Sequence, residues 1–432
     1  MVGAAPEWER EPDIDAVASV ARSILNPTGG TLTVDFFAQG GFNKVYSVEC
    51  GGKCYMMRVS LPVDPFHKTL SEVTTIRYLQ EKTSIPVPKI ITFDASRDNA
   101  IGFEWILMER VTGKSVDKIW HTFSWEAKVE LVRKVAEYIA QLSTVSFPSI
   151  GSLYPTDKAL DTSREFLNEK LGLPQLPGQE PKSAAATDFA VGRICSRPFF
   201  WKDNLKLDIP RGPFKCARDW IIAELLVHEK EAQKLLEGRD VDHDEFNYDT
   251  AVKTWKMAMR MRGLIYDFFP PEQDFLEQYV LKHGDLTFRN ILADDAGTIT
   301  GLIDWEFVYT VPACYAGELP EFVSCATYES IFDTPREEDY MRKANGEVQS
   351  CFYQDVIQFD MKGLRAVFKE HLARLWPLWR CNSRDERTRK QADFVFATKA
   401  FAPSGLARIG KWLDAFERSL VDGSEYVPLD EF

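Results

Sequence analysis

The sequence predicts an α+β fold of two lobes: a five-stranded antiparallel sheet with one helix after its third strand, then a larger, mainly helical lobe. Three observations predict it. Residues 31–61 fall into three short strand-like runs separated by Gly-Gly dipeptides at 40–41 and 51–52, the pattern of strands joined by tight turns. One helical stripe and two more apolar strand-like runs follow before Gly113. Beyond Gly113 most apolar residues recur at helical spacing.

The elements can be justified in order. Ile14, Val17, Val20, Ala21 and Ile24 share one face of a helix over 12–26. The stretch TLTVDFFAQGGFNKVYSVECGGKCYMMRVSL reads as strand, Gly-containing loop, strand, tight turn, strand. Cys50 and Cys54 flank the second turn. A zinc site would need two more ligands close by, and none is apparent, so Gly51-Gly52 reads as a hairpin turn. KTLSEVTTIRYLQEKT forms a helix striped by Leu70, Val73, Ile76 and Leu79. IPVPKIITFD and FEWILMERV supply two further strands, which gives a first lobe over residues 1–111.

The second lobe then covers 112–432. SWEAKVELVRKVAEYIAQLSTV starts at a Ser cap with an acidic first turn. ARDWIIAELLVHEKEAQKLLEG is an amphipathic helix that ends at Gly238. Further helices are expected near 249–268, 353–376 and 387–420. Residues 148–215 are rich in Pro, Gly and polar residues, and 176–188 reads as a flexible loop. A variable insert is assigned to about 148–270.

Composition excludes several classes of function. The 45% hydrophobic and 27% charged fractions are those of an ordinary soluble globular protein, and the chain's 432 residues are enough to hold a core without disulfides or metals. Its net charge of -13 argues against general nucleic-acid binding, which needs a basic face. That charge leaves room for cationic or neutral small substrates. No apolar run reaches membrane-spanning length, so neither nucleic acid nor membrane is expected as a partner. The eight cysteines form no framework, as suits a reducing compartment. The N-terminus MVGAAPEWEREPDIDAV is neither a secretory signal nor an Arg-rich transit peptide. A cytoplasmic location is expected.

The stretch LKHGDLTFRNIL sets His283, Asp285 and Asn290 in an apolar frame. Downstream, NILADDAGTITGLIDWE reads as a hairpin turning at Asp294–Gly297. Such a hairpin brings Asn290 beside Asp304, both facing Asp285. Two hard oxygen ligands on a small loop suit Mg²⁺, which takes its remaining ligands from water and phosphates. Asp285 is left to orient and deprotonate a hydroxyl. These are the parts that phosphoryl transfer requires.

HGDLTFRN together with IDWE resembles the catalytic loop and metal-binding segment of the aminoglycoside phosphotransferase-like family, small-molecule kinases with a protein-kinase-like fold. The spacing His-x-Asp-x-x-x-x-Asn is that of the kinase catalytic loop. The resemblance implies ATP and Mg²⁺ as cofactors, Asp285 as catalytic base, Asn290 and Asp304 as metal ligands, and His283 as structural. GGFNKVY is similar to the nucleotide-covering loop, which implicates Gly40, Gly41, Phe42 and Asn43. MMRV is similar to the third strand and SEV to the first-lobe helix. ILMERVTGKSV looks like the hinge, where backbone near Glu109 and Val111 would read adenine. RPFFWKDNLKLDIPRGPF is similar to a segment common in the fungal-type branch.

Several residues carry alternatives. Arg58 stands where protein kinases place a phosphate-binding Lys; it keeps its charge and can fork two donors onto an oxygen pair. Glu72, fourteen residues on, is its natural partner, unless both face solvent. Alternation puts Arg58 on the face of Met56. The Gly40-Gly41 loop either covers phosphates through its N–H groups or is only a hairpin turn. Glu306 is either part of the metal site or solvent-facing. Arg289 is either a substrate contact or a loop brace. TGKSV resembles the end of a Walker loop, but Met108 occupies the position of its first glycine.

The expected function is an ATP- and Mg²⁺-dependent phosphotransferase acting on a hydroxyl of a small molecule, cationic or polyhydroxylated. The segment 148–270 and the C-terminal helices would wall the acceptor pocket. A catalytically weak nucleotide-binding scaffold is the alternative, motivated by Arg58. A protein kinase is disfavoured, because Gly284 replaces the Arg that receives an activation-loop phosphate and no Ala-Pro-Glu follows Asp304-Trp305-Glu306.

Overall fold

Period-two alternation builds the first lobe. The computed structural model describes residues 6–26, 31–156, 189–237, 245–271, 277–317, 319–324, 334–343, 346, 348–377, 379 and 385–432. Helix α1 (Ile14–Leu25) precedes strands β1 (Leu32–Gln39), β2 (Asn43–Cys50) and β3 (Lys53–Ser60). Helix α2 (His67–Lys82) follows, then β4 (Ile90–Asp94) and β5 (Glu104–Glu109). The strands form one antiparallel sheet in the order β1-β2-β3-β5-β4. At the β2–β3 turn Gly51 and Gly52 have φ of +58° and +75°, the left-handed pair that a two-residue hairpin matching strand twist requires.

The two faces of the sheet bury different partners. Met57 and Val59 are fully buried in a cluster with Tyr46, Val48, Trp105 and Leu107. Val17 and Ala21 of α1 close that cluster from outside. On the opposite face Met56, Ile106 and Met108 pack against Val73 of α2. Arg58 shares the Met56 face by strand period and is therefore aimed at α2.

The chain crosses to the second lobe at Gly113, whose φ is +102°. A Cβ there would stand 2.7 Å from the Ala293 carbonyl oxygen, so only glycine fits the crossing. Strand β6 (Lys114–Ser115) and helix α3 (Val116–Ile119) follow, then helix α4 (Trp125–Ser143). The Ser124 hydroxyl caps α4 by accepting the Ala127 N–H at 3.2 Å. Strands β7 (Ser152–Pro155) and β8 (Phe189–Gly192) form a ribbon. After helices Ala217–Glu237, Glu245–Gly263 and Ile265–Phe268 come β9 (Tyr279–Lys282), β10 (Ile291–Ala293), β11 (Ile299–Leu302) and β12 (Tyr309–Pro312). Helices Ser350–Leu375, Glu386–Lys399 and Pro403–Asp422 complete the lobe. One continuous core joins α4 to the late helices through Trp220, Trp305, Phe268 and Trp412. Burial of each such aromatic is worth roughly 1.5–3 kcal/mol on the aliphatic and Phe scale.

This is the expected α+β arrangement of a five-stranded first lobe and a mainly helical second lobe. The helix expected over 387–420 is two helices. Pro403 opens the second and lacks the N–H that a continuous helix would need, and Ala402 before it is extended, with φ −104° and ψ 157°. The ribbons β7–β8 and β9–β12, and the pairing of β6 with β10, were not expected, because strands of two to four residues carry too few alternations to read. The loop expected at 176–188 lies outside the described residues.

His228 links Ala217–Glu237 to the C-terminal helices. Its ring stacks on Phe401 at 4.3 Å, and its Nε2–H donates to the Thr398 carbonyl at 3.2 Å. Burial lowers its pKa from 6.5 to about 4. A base whose folded pKa is depressed contributes stability that is present above its unfolded pKa and is lost as pH falls through the window down to the folded pKa. The unfolding free energy of the wild type, measured in urea against His228→Gln, is therefore expected to fall by up to about 3 kcal/mol between pH 6.5 and 4. A difference that stays flat across this window contradicts the neutral buried ring.

Candidate active site

Two strand registers assemble the site. In the β9–β12 ribbon Lys282 pairs with Tyr309, so the loop that begins at His283 and the segment that ends at Val308 meet at one end of the ribbon. In the β10–β11 hairpin Ile291 pairs with Leu302. That places Asn290 and Ile303 side by side, and the Ile303 N–H donates to the Asn290 carbonyl at 2.9 Å. Asp294 and Gly297 close the hairpin turn, with the Gly297 N–H donating to the Asp294 carbonyl at 3.0 Å.

His283 is a post inside this frame. Its Nδ1 accepts the Asp285 N–H at 3.2 Å, and its Nε2 lies 3.4 Å from the Ile303 carbonyl. Burial pushes its pKa down to about 4, so the ring is neutral and ties the loop to the 303–304 segment. The Asn290 Nδ2 donates to the Asp285 carbonyl at 2.8 Å and to its Oδ2 at 3.0 Å. This pins the Asp285 carboxylate and turns the Asn290 amide oxygen away from it.

Asp304 has φ +65° and Phe307 φ +59°, a left-handed backbone that costs a non-glycine residue about 1–3 kcal/mol. Burial pushes the Asp304 carboxyl up to about 6; Glu306 and Asp285 add to the rise, while Arg58 and Lys68 oppose it. The Arg58 Nη1 lies 3.7 Å from Asp304 Oδ1, and its other end forms an ion pair with Glu72. Arg58 and Glu72 are thus a buried pair and not surface residues.

Glu306 is also buried. Its Oε2 pairs with the Lys68 ammonium at 2.7 Å and accepts the Asn43 Nδ2 at 2.9 Å. Lys68 donates further to Asn43 Oδ1 at 2.9 Å and to Ser60 Oγ at 3.3 Å. Burial opposes the charge of Glu306, but Lys68 and then Arg58, with the hydrogen bonds, outweigh it and hold the carboxyl low. Sequence reasoning missed Lys68 and Ser60. Lys68 shows no motif; its only signal is a cation near the start of α2 on a helix with eleven buried residues.

The glycine loop is less directed at a ligand than its spelling implies. The Gly40 N–H is engaged by the Asn43 carbonyl at 2.9 Å. Phe42 is buried and makes edge contacts with Phe200 at 5.6 Å, Trp201 at 6.1 Å and Phe307 at 5.2 Å. Gly41 and Phe42 line the main cavity, whereas the Asn43 side chain joins the Lys68 junction. At the hinge the Glu109 N–H donates to the Lys89 carbonyl at 2.8 Å, and Val111 packs against Gly301. Neither lines the cavity.

That cavity, about 810 Å³, lies between the lobes and takes in Asp285, Asp304 and Glu306. Among its described lining residues the segment 148–270 supplies only Ser196, Arg197 and Pro198. Among the described residues the rest of the far wall comes from the end of α4, from β9, from Tyr309, Val311, Tyr315, Ala316, Leu319 and Pro320, and from Lys399 of a C-terminal helix. Among the described residues no three His, Cys, Asp or Glu cluster as a metal cage. The donors that are present suit a hard cation completed by water and phosphate: a carboxyl driven up by burial and like charge, and a free amide oxygen. They fit Mg²⁺. No helix of the described residues is long and apolar enough to cross a membrane.

Comparison with known proteins adds to this geometry. The sequence profile described as the phosphotransferase enzyme family matches residues 33–203 and 208–316. A subtelomeric hrmA-associated cluster protein of Aspergillus fumigatus is 28% identical over 321 residues, 66% of this chain and 59% of the relative. Altered inheritance of mitochondria protein 9 of Candida glabrata is 25% identical over 355 residues, 71% of this chain and 54% of the relative. The matches thus span little more than half the length of these relatives. Among solved structures, aminoglycoside phosphotransferase APH(4)-Ia in ternary complex with ADP and hygromycin B aligns at 15% identity and TM-score 0.42, covering 92% of this chain and 98% of that one.

The cytoplasmic expectation is corrected by these relatives. The Candida glabrata protein, and those of the same name in Meyerozyma guilliermondii and Eremothecium gossypii, are named as mitochondrial. The expectation rested on the composition of a short N-terminal stretch and on scattered cysteines. Those features test a sequence against average targeting patterns and do not report location.

The Lys68 junction generates a stability prediction. Lys68→Met leaves the Glu306 carboxylate, 9% exposed, without its cation, and breaking a buried pair from one side destabilises by about 3–5 kcal/mol. Urea unfolding should show this loss, and the double variant Lys68→Met/Glu306→Gln should recover part of it. Strictly additive losses contradict the direct pairing.

Proposed function

This chain belongs to the phosphotransferase enzyme family, and we propose that it transfers the γ-phosphoryl group of ATP, in the presence of Mg²⁺, to a hydroxyl of a small molecule. The observation that carries the reading is the meeting of Asp285, Asn290 and Asp304 at one end of the β9–β12 ribbon, with Arg58 reaching Asp304 from the other lobe.

Each residue then has a role that its setting supports. The Asp285 carboxylate is held by Asn290 through one oxygen, which leaves the other to orient an acceptor hydroxyl and take its proton as the hydroxyl attacks. Asn290 and Asp304 would hold Mg²⁺, which would offset the negative charge of the phosphates there. Arg58, braced by Glu72, presents guanidinium donors toward the phosphates. Gly41 and Phe42 roof the cavity where the phosphates would lie. In this reading residues 1–111 bind nucleotide, and the rest of the chain holds the loop 281–306 and the acceptor. Among its described residues the insert at about 148–270 touches the cavity through Ser196, Arg197 and Pro198.

Transfer of label from γ-labelled ATP to a metabolite pool tests the reading. Asp285→Asn is expected to lower turnover about 10²–10⁴-fold with nucleotide affinity retained in a calorimetric titration. Asp304→Asn is expected to abolish the Mg²⁺ dependence of that affinity. A wild type that binds ATP yet labels nothing in the pool would instead support a nucleotide-binding scaffold.

A further inference from the structure

We infer that Arg197 is a phosphate-contacting residue: its guanidinium meets the γ-phosphoryl group of the bound nucleoside triphosphate. The inference rests on the phosphotransfer reading and adds a second-lobe residue to it. The cations that the first lobe brings to the cavity are already engaged. Arg58 forms an ion pair with Glu72 and lies 3.7 Å from Asp304. Lys68 is bound to Glu306 at 2.7 Å, and also to Asn43 and Ser60. A terminal phosphate brings further negative charge to a cavity already lined by Asp285, Asp304 and Glu306. A cation not spent on a carboxylate is the complement it needs.

Arg197 is such a cation. It is exposed, lines the cavity together with Gly41, Phe42, Asp304 and Phe307, and has no carboxylate partner among the described residues. The segment that carries it is tied to both lobes. Arg193 donates to the Asp64 carboxylate of the first lobe at 2.9 Å, and the Cys195 N–H donates to Ser152 Oγ of the second at 3.0 Å. Phe200 is buried in a cluster with Phe42, Leu61 and Val63. The Arg197 guanidinium lies 5.5 Å from the ring centre of Phe42 and 5.6 Å from that of Trp201. Phe42 in turn meets Phe307, in the turn after Asp304, at 5.2 Å. The guanidinium therefore stands where the tip of the glycine loop closes on that turn. Its N–H donors lie in its own plane, so a guanidinium resting over ring faces keeps them for an anion.

Calorimetric titration of the full chain, in Mg²⁺, with ADP and with a non-hydrolysable ATP analogue tests this, because only the analogue carries a γ-phosphate. Arg197→Ala is expected to weaken binding of the analogue about ten- to a hundredfold and to leave ADP affinity unchanged. Arg197→Lys keeps the charge but not the fork of donors and should recover part of the loss. Arg197→Gln is read in the same way if the alanine variant does not fold. A merely structural role, as a seat for the Phe42 ring, lowers both affinities together, since the glycine loop covers both nucleotides. A loss for ADP as large as that for the analogue, or no loss for either, overturns the inference and leaves phosphotransfer standing. A wild type that binds neither nucleotide overturns the phosphotransfer reading, and this inference with it.

Discussion

The structure depends on how acidic groups are kept charged in the interior between two lobes. Glu72 and Glu306 are buried and Asp304 is partly exposed at the cavity, and an unpaired buried carboxylate is strongly disfavoured. Two cations answer them. Arg58 spans Glu72 and Asp304, and Lys68 holds Glu306. Both cations come from the first lobe, while Asp304 and Glu306 come from the second. Lobe packing therefore brings Lys68 to Glu306 and Arg58 to Asp304, while Arg58 keeps Glu72 as a partner within the first lobe. Asn43 extends this to the strand that leaves the glycine loop, because its amide donates to Glu306 and accepts from Lys68.

Much of the frame was legible in the sequence because it rests on short-range chemistry. Gly51-Gly52 marked a hairpin through the backbone it permits, and Ser124 marked a helix start through its hydroxyl. The His283–Asn290 spacing and the apolar run before Asp304 pointed to a loop and a hairpin that bring Asn290 beside Asp304, though not to the β9–β12 ribbon that carries them. Arg58 could be assigned to the face of Met56 because a strand has only two faces. The remainder depends on residues far apart in the chain. The choice of partner for Glu306 is made by Lys68, 238 positions away by residue number (306 − 68), and nothing in the local pattern around either residue encodes it. Among the described residues the cavity wall also joins distant segments, with β9, Tyr309, Tyr315 and Lys399 beside Ser196, Arg197 and Pro198, because β12 returns antiparallel onto β9.

The backbone at 304–307 shows what the arrangement demands locally. Asp304 and Phe307 both take left-handed φ, with the fully buried Trp305 between them. Trp305 donates its indole N–H to the Leu302 carbonyl at 2.9 Å and packs against His283 at 4.6 Å. A buried indole with its polar atom satisfied anchors the turn, and the flanking residues adopt the unfavourable conformation that aims Asp304 at Arg58 and Glu306 at Lys68.

The aromatic seat of Phe42 bears on how the molecule moves. Phe42 sits against rings from residues 200, 201 and 307, so the tip of the β1–β2 hairpin is not a free flap. Lifting it would uncover ring surface on both sides at once, and each such ring presents roughly 150–250 Å². The hairpin tip, the 197–201 segment and the turn after Asp304 are thus packed as one aromatic unit at the rim of the cleft, so displacing the tip costs ring burial on all three.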